Sequence, residues 1–365
     1  MDIKLWVFGF LTTIAAYAGI TILHLIFPVK RTIGYVKQDK TGELLNYRIN
    51  GIMVLPASIL IWFGLGYFDI VPHDWLYQVR WPGLVCAVIT GLIFSFILVL
   101  KAPSTGKPFL ADFWFGRIWN PQIGNGLIDA KMWLYLIGAV MLQLNALSFA
   151  AHHLQEMQRI GGEVNIGFML GVIMTSWFCW DYLFFERVHV YTYDIFAERV
   201  GFKLGFGCLS FYPYFYAIPL WCTVNLPNPG HPLWLTVLFA CLFLFGWAFT
   251  RGANMQKFVF KRTPQKNFLW MKPETVTDGS RSLLVSGYWG ASRHINYMGE
   301  IIQAIAIALA AGYPLILGVW LYPIYYIGLL FTRQVDDDKI CKVKYGELWD
   351  VYKKRVKYRI IPFIY

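Results

Sequence analysis

Three polar segments interrupt some of the most apolar sequence in this chain, and their residue types suit an anionic, ring-bearing ligand. In RGANMQKFVFKRTPQ (251–265), Lys257 and Lys261 stand four residues apart. That spacing puts two ammonium groups on one helix face, where they can embrace a diphosphate or a 2′-phosphate. The same cations also suit a membrane anchor on the cytoplasmic side. In SGYWGASRHINYMGE (286–300), Arg293 and Tyr297 are four apart and Trp289 and Asn296 seven apart. One continuous helix would align each pair. An interfacial aromatic belt accounts for Trp and Tyr but has no need of Asn296 or His294, so this stretch reads as a site. In VDDDKICKVKYGELWDVYKKRVKYRIIPFIY (335–365), a helix would place Asp337, Cys341, Lys344, Tyr345 and Tyr352 within roughly a 100° arc. Gly346 would interrupt that helix, and Leu348 shares the arc.

A second source of chemistry is WFCWDYLFFERVHVYTYDIF (177–196), which carries Asp181, Glu186 and Asp194. A carboxyl group at membrane depth is costly and therefore functional by default. Glu186 and Asp194 also suit the membrane interface, whereas Asp181 lies a turn deeper. Other chemistries are excluded. No GxGxxG separates a strand from a helix, so no Rossmann domain is present. The seven His are scattered and only His152 and His153 are adjacent, so a metal site is not expected. Six Cys lack CxxC spacing and read as small core residues.

The elements that must hold these groups are membrane helices. Of 365 residues, 57% are hydrophobic and only 15% charged, against about 25% charged in soluble domains. Apolar runs at 5–27, 50–69, 81–100, 132–151, 165–185, 206–225 and 232–250 approach the roughly 20 residues of a bilayer crossing. The run 300–331 contains Gly312 and Pro314 and is expected to fold as a hairpin of two short helices. The net charge of +11 falls between apolar runs, which points to membrane orientation and away from nucleic acid. Segments 28–49 (Lys30, Arg31, Lys37, Lys40, Arg48), 101–131, 186–205 and 251–281 are basic, whereas 70–80, 152–164 and 226–231 hold only Arg80 and Arg159. Basic loops face the cytoplasm, so all three polar segments lie on that side. The expected fold is an all-α, polytopic transmembrane helical bundle of about nine to ten membrane helices embedded in a lipid bilayer.

The ordered blocks YRING (47–51), DFWFGRIWNPQIG (112–124), DYLFFE with YDIF (181–196), ANMQKFVFKR (253–262), LLVSGYWGASRHINYMGE (283–300) and CKVKYGELWDVY with YRIIPFIY resemble the sterol reductase family. That family includes carbon-14 and carbon-7 sterol reductases, the lamin B receptor membrane domain and fungal carbon-24(28) reductase. The resemblance implies a C-terminal, cytoplasm-facing NADPH pocket and a sterol cavity among the helices. Residues 1–250 would form the sterol-binding part and 251–365 the cofactor-binding half. Carried over by motif, the cofactor contacts would be Lys257, Lys261, Leu284, Trp289, Asn296, Tyr297, Asp337, Cys341, Lys344, Tyr345 and Tyr352.

The implied reaction protonates a sterol alkene and then delivers hydride to the resulting cation, with Asp181, Glu186 and Tyr193 as donor candidates. Lys261 stands where the family has Arg, and Asp336-Asp337 stands where it has an Arg-Asp pair, with Arg333 nearby to supply the charge. Cys208 replaces an Asp of the ring-reducing members, which leans the expected substrate toward a side-chain alkene at carbon 24. The alternative is a carbon-14 or carbon-7 ring alkene. Less favoured are an isoprenylcysteine-type methyltransferase using S-adenosylmethionine, suggested by an RHxxYxGE-like block, and a non-enzymatic sterol-binding protein. The compartment would be the endoplasmic reticulum in a eukaryote and the inner membrane in a bacterium.

Overall fold

The computed structural model describes residues 2–37 and 42–365; Lys40 lies outside them. Helices dominate, with three two-stranded antiparallel hairpins among the described residues. The chain divides into two compact units, Met1–Pro229 and Gly230–Tyr365.

Among the described residues, five helices are long and apolar enough to cross a membrane: Ile3–Ile26, Arg80–Lys101, Ala130–Ile160, Ile166–Phe184 and Leu233–Arg262. This is the pattern of a multi-pass membrane protein. Large apolar side chains such as Leu11, Ile14, Ile93, Leu100, Leu238 and Phe245 are exposed along these helices. Such faces suit lipid rather than water. The exception is Ala130–Ile160, whose apolar window is 83% buried, so it is the core about which the first unit packs. Leu134, Ile137, Val140 and Met141 are wholly enclosed there. Its start is fixed by Asp129, which accepts from the Met132 N–H at 3.0 Å, and its end by Gly161 in the left-handed conformation (φ 66°).

The remaining expected spans depart from simple crossings for identifiable reasons. Gly51–Tyr67 is apolar but only 17 residues long, with Pro56 inside it. The run 206–225 is not one α-helix. It breaks into Phe202–Phe206, a π-helix at Gly207–Phe215 and Ile218–Thr223. Pro213 lacks the N–H that an α-helix would use, and the wider π turn accommodates it.

In the second unit, the Leu233–Arg262 helix continues well past residue 250, so the first polar segment belongs to its last turns and is not a loop. Gly312 (φ 83°) lies between Ile295–Ala310 and Leu321–Tyr345, the break that Gly312 and Pro314 imply.

Candidate cofactor site

The second unit gathers its polar groups around the C-terminal end of Leu233–Arg262. The Trp289 indole N–H donates to the Ala253 carbonyl at 2.8 Å, and the Lys257 ammonium sits 5.3 Å from the Trp289 ring centroid. The hydrogen bond thus fixes the ring as a platform for the cation. Lys261 lies close enough to feel the charges of both Lys257 and Lys344. Lys344 in turn lies 5.2 Å from the ring of Tyr345. Asp337 supplies part of the opposing charge at Lys257, and lysines grouped this way can also hold a phosphate as point charges.

Gln256, buried at 3% exposure, locks the turn that carries Trp289. Its side-chain oxygen accepts from the Tyr288 N–H at 3.0 Å, and its NH2 donates to the Ser286 carbonyl at 3.2 Å. Between them Gly287 takes φ 61°, a left-handed conformation that favours glycine. At Gly252 any Cβ would fall 2.3 Å from Tyr288, so the helix must present a bare backbone there.

The backbone breaks the helix that the 289–297 spacing implies. Trp289 and Asn296 do not share a helix: Tyr288–Ala291 ends at an extended Ser292 (φ −155°, ψ 161°), and the next helix begins at Ile295. Arg293 is likewise outside the helix that holds Tyr297. The interruption is imposed by the C-terminal tail. The Ser292 hydroxyl donates to the Ile360 carbonyl, and the N–H groups of Arg293 and His294 donate to the carbonyls of Tyr358 and Arg359. These bonds draw the segment out of helical geometry.

The single arc over 337–352 also fails. Gly346 (φ 58°) ends one helix, and Tyr352 comes from a second, Glu347–Arg355. The turn nevertheless brings the aromatics together. Trp349 stacks on Tyr352 at 4.9 Å and lies 6.3 Å from Tyr345, with Val285 and Leu348 in the same cluster.

Asp337 and His294 face one another within this group. Burial, reinforced by the charges of Arg293, Lys257 and Arg359, pushes the His294 imidazole down to about 3, so it is neutral. Its 3.7 Å approach to Asp337 is therefore a contact and not an ion pair. Burial raises the Asp337 carboxyl, against the pull of Lys257 and Arg333, and the Cys341 thiol lies 3.9 Å from it. His294 also stacks on Tyr297 at 4.9 Å. Asn296 reaches Asn254 at 3.5 Å through its NH2, while its side-chain oxygen is buried without a hydrogen-bond partner. Leu284 is buried on the short strand Ser282–Leu284, next to Val285 of the aromatic cluster.

The carboxyl candidates belong to the first unit and occupy separate elements. Asp181 lies in the last turn of Ile166–Phe184, half-buried. Tyr193 opens the four-residue helix Tyr193–Phe196 and is also half-buried. Glu186 is buried, and its carboxylate accepts from the Gly51 N–H at 2.8 Å, at the first residue of Gly51–Tyr67. A Cβ at Gly51 would lie 2.9 Å from the Glu186 oxygen, so glycine there admits the carboxyl group. Burial pushes Glu186 up to about 8, with the Gly51 bond opposing. Glu186 is thus both a helix cap and a carboxyl that retains a proton at neutral pH.

The chain matches the Ergosterol biosynthesis ERG4/ERG24 family over residues 4–365. It is 33% identical to a delta(14)-sterol reductase of Arabidopsis thaliana over 93% of this chain and 91% of the relative. Against a delta(14)-sterol reductase of Methylotuvimicrobium alcaliphilum it is 32% identical, covering 89% and 76%. A 7-dehydrocholesterol reductase of Xenopus laevis is 29% identical over 89% and 72%. The chain belongs to this sterol reductase family. The family match spans both units, and with it the cationic platform and the carboxyl-bearing segment.

Spacing arguments miss two residues of this sterol reductase that the structure makes prominent. Gln256 lies inside an expected basic segment, and only its reciprocal hydrogen bonds reveal its part. Lys131 reads as a positive-inside residue, yet it is wholly buried and its ammonium donates to the carbonyls of Asp194, Ile195 and Glu198 at 2.7, 2.8 and 2.5 Å. The signal available in advance was its place at the start of a helix that is otherwise core.

Proposed function

We propose that this chain is an NADPH-dependent sterol reductase that saturates a ring alkene, with carbon 14 the first choice. The observation that carries the cofactor reading is Lys257 over the Trp289 ring, with Lys261 and Lys344 near enough for the three ammonium groups to act on one another. The buried, unpartnered Asn296 oxygen fits an amide N–H donor, such as the carboxamide of a nicotinamide. Three cations in one place exceed what a diphosphate needs, which favours a 2′-phosphate as well. In this reading 251–365 is the cofactor half, facing the cytoplasm as its basic residues suggest, and 1–250 holds the sterol.

The names of the relatives support a ring alkene over the side-chain alkene that Cys208 suggested. Cys208 is buried among apolar side chains, as a packing residue would be. The family match over nearly the whole chain weighs against the S-adenosylmethionine reading.

When bound, NADPH supplies hydride to a cationic sterol carbon. The chain's own part is to hold a proton against the alkene, keep water out and fix the cofactor. Glu186 is a donor candidate because burial keeps its carboxyl protonated near neutral pH. Asp181 and Tyr193 remain candidates beside it. Lys257, Lys261 and Lys344 would hold the phosphates, with Trp289, Tyr297 and the Tyr345–Tyr352 aromatics bracketing the rings. The test is to supply sterols unsaturated at carbons 7, 14 or 24 with NADPH and identify products by mass spectrometry. Reduction at carbon 14 is expected. Turnover of the carbon-24 alkene alone would restore the side-chain reading.

A further inference from the structure

The π-helix Gly207–Phe215 is bonded to its surroundings at nearly every polar group. Tyr17 donates to the Leu209 carbonyl, and the Asn145 NH2 donates to the Pro213 carbonyl at 2.8 Å. The Ser210 hydroxyl donates to the Ala87 carbonyl at 2.9 Å, and Tyr214 meets the Thr13 hydroxyl. Tyr212 is the exception. Its ring is only 6% exposed, yet its hydroxyl is buried with no hydrogen-bond partner. Leaving a hydroxyl in that state is costly, so an unpaired one in an otherwise satisfied element marks a place where something binds. π-helical turns recur at functional sites for the same reason: they expose groups that an α-helix would tie down.

What surrounds Tyr212 decides the class of partner. Phe178, Tyr182 and Tyr216 lie at ring distances of 6.0, 6.3 and 5.1 Å, with the thiols of Cys179 and Cys208 nearby. A phenol with an ordinary pKa near 10 is a poor acid for an alkene, so a proton-donor role is disfavoured. Gly138 on the central helix fixes the placement: a Cβ there would lie 2.4 Å from the Tyr212 ring and 2.8 Å from the Cys208 carbonyl.

We propose that the Tyr212 hydroxyl hydrogen-bonds the alcohol of a steroid alcohol and thereby sets how the steroid skeleton is positioned. The inference rests on the reductase reading above and adds a specificity-determining residue to it. A ring-lined neighbourhood in which the Tyr212 hydroxyl is left without a partner matches a large, mostly apolar ligand that carries one hydroxyl.

The test uses the purified full chain in detergent, with a fluorescent sterol displaced by a delta(14)-sterol or by its 3-deoxy counterpart. The wild type should bind the alcohol about tenfold more tightly than the deoxy compound, the worth of one buried hydrogen bond. Tyr212→Phe should bring that ratio close to one. Its unfolding midpoint should stay at or above that of the wild type, because an unpaired hydroxyl has been removed. In turnover the change should appear in KM for the alcohol, with kcat retained. A wild-type ratio near one, an unchanged ratio in the variant, or a loss confined to kcat overturns the assignment. Because the displacement assay needs no turnover, failure to reduce any sterol refutes the reductase reading separately from the tyrosine. A wild type that binds no sterol overturns both.

Discussion

Replacing Lys131 with methionine removes the anchor of the segment that carries Tyr193 and Asp194. The ammonium is wholly enclosed and donates to three backbone carbonyls at 2.5–2.8 Å, which uses all three of its N–H groups. Each carbonyl left without a donor costs about 1–3 kcal/mol. Against this, removing a buried charge recovers several kcal/mol of desolvation. Three stranded carbonyls offset by the recovered desolvation leave a net loss on the order of 2–4 kcal/mol for Lys131→Met. For a chain of this size that is a fall in Tm on the order of 10 °C. Thermal unfolding in detergent, followed by labelling of the buried Cys179 thiol, measures it. Hydrogen exchange over 193–198 should accelerate first, because those residues provide the carbonyls. A Tm within about 1 °C of wild type, with unchanged exchange over 193–198, would refute the reasoning: the carbonyls would then have found other donors.

Lys257→Ala and Lys344→Ala should each weaken NADPH binding by about tenfold while changing NADH much less, as judged by titration calorimetry; equal losses for both cofactors would place these lysines on the shared diphosphate and not on the 2′-phosphate. Asn296→Ala should lower cofactor affinity without lowering Tm, since its oxygen has no protein partner to lose; wild-type affinity would take Asn296 out of the site. Gln256→Leu should free the turn at 286–288, seen as faster hydrogen exchange there and weaker cofactor binding; unchanged exchange would show that the turn holds without it. Glu186 gives a pH prediction. Its folded pKa of about 8 exceeds the ordinary 4.5, so its contribution to stability is complete below about 4.5 and is lost as pH rises through about 8. Wild-type Tm should therefore fall relative to Glu186→Gln between about pH 5 and 8.5, and parallel profiles would refute a buried neutral carboxyl.

Part of the second unit could be read from residue types because its polar groups are concentrated in short blocks. Lys257 with Lys261, and Gly312 with Pro314, act through local geometry, and local geometry follows from sequence spacing. The arrangement around Trp289, Asn296 and Tyr352 could not be read that way. There the backbone is set by partners distant in sequence: the 358–360 tail extends Ser292–His294, and Gly346 redirects the chain before Tyr352. A helical-periodicity argument assumes that a helix continues, and it has no access to a tail dozens of residues away that competes for the same N–H groups.

The first unit shows the same limit more sharply. Composition identifies apolar runs, but it does not distinguish a lipid-facing helix from a core helix of equal hydropathy. Only packing shows that Ala130–Ile160 is enclosed while Ile3–Ile26 and Arg80–Lys101 present Leu11, Ile14, Ile93 and Leu100 outward. That distinction changes the meaning of single residues. Lys131 on a peripheral helix would be one more cytoplasmic anchor, whereas at the start of the enclosed helix it becomes the ligand of three carbonyls. Tyr212 on a lipid-facing α-helix would be an interfacial aromatic, whereas on a π-helix against Gly138 its hydroxyl is stranded. In both cases the side chain's chemistry is visible in the sequence, but the demand placed on it comes from burial. The residues to test first are therefore those whose burial and chemistry conflict.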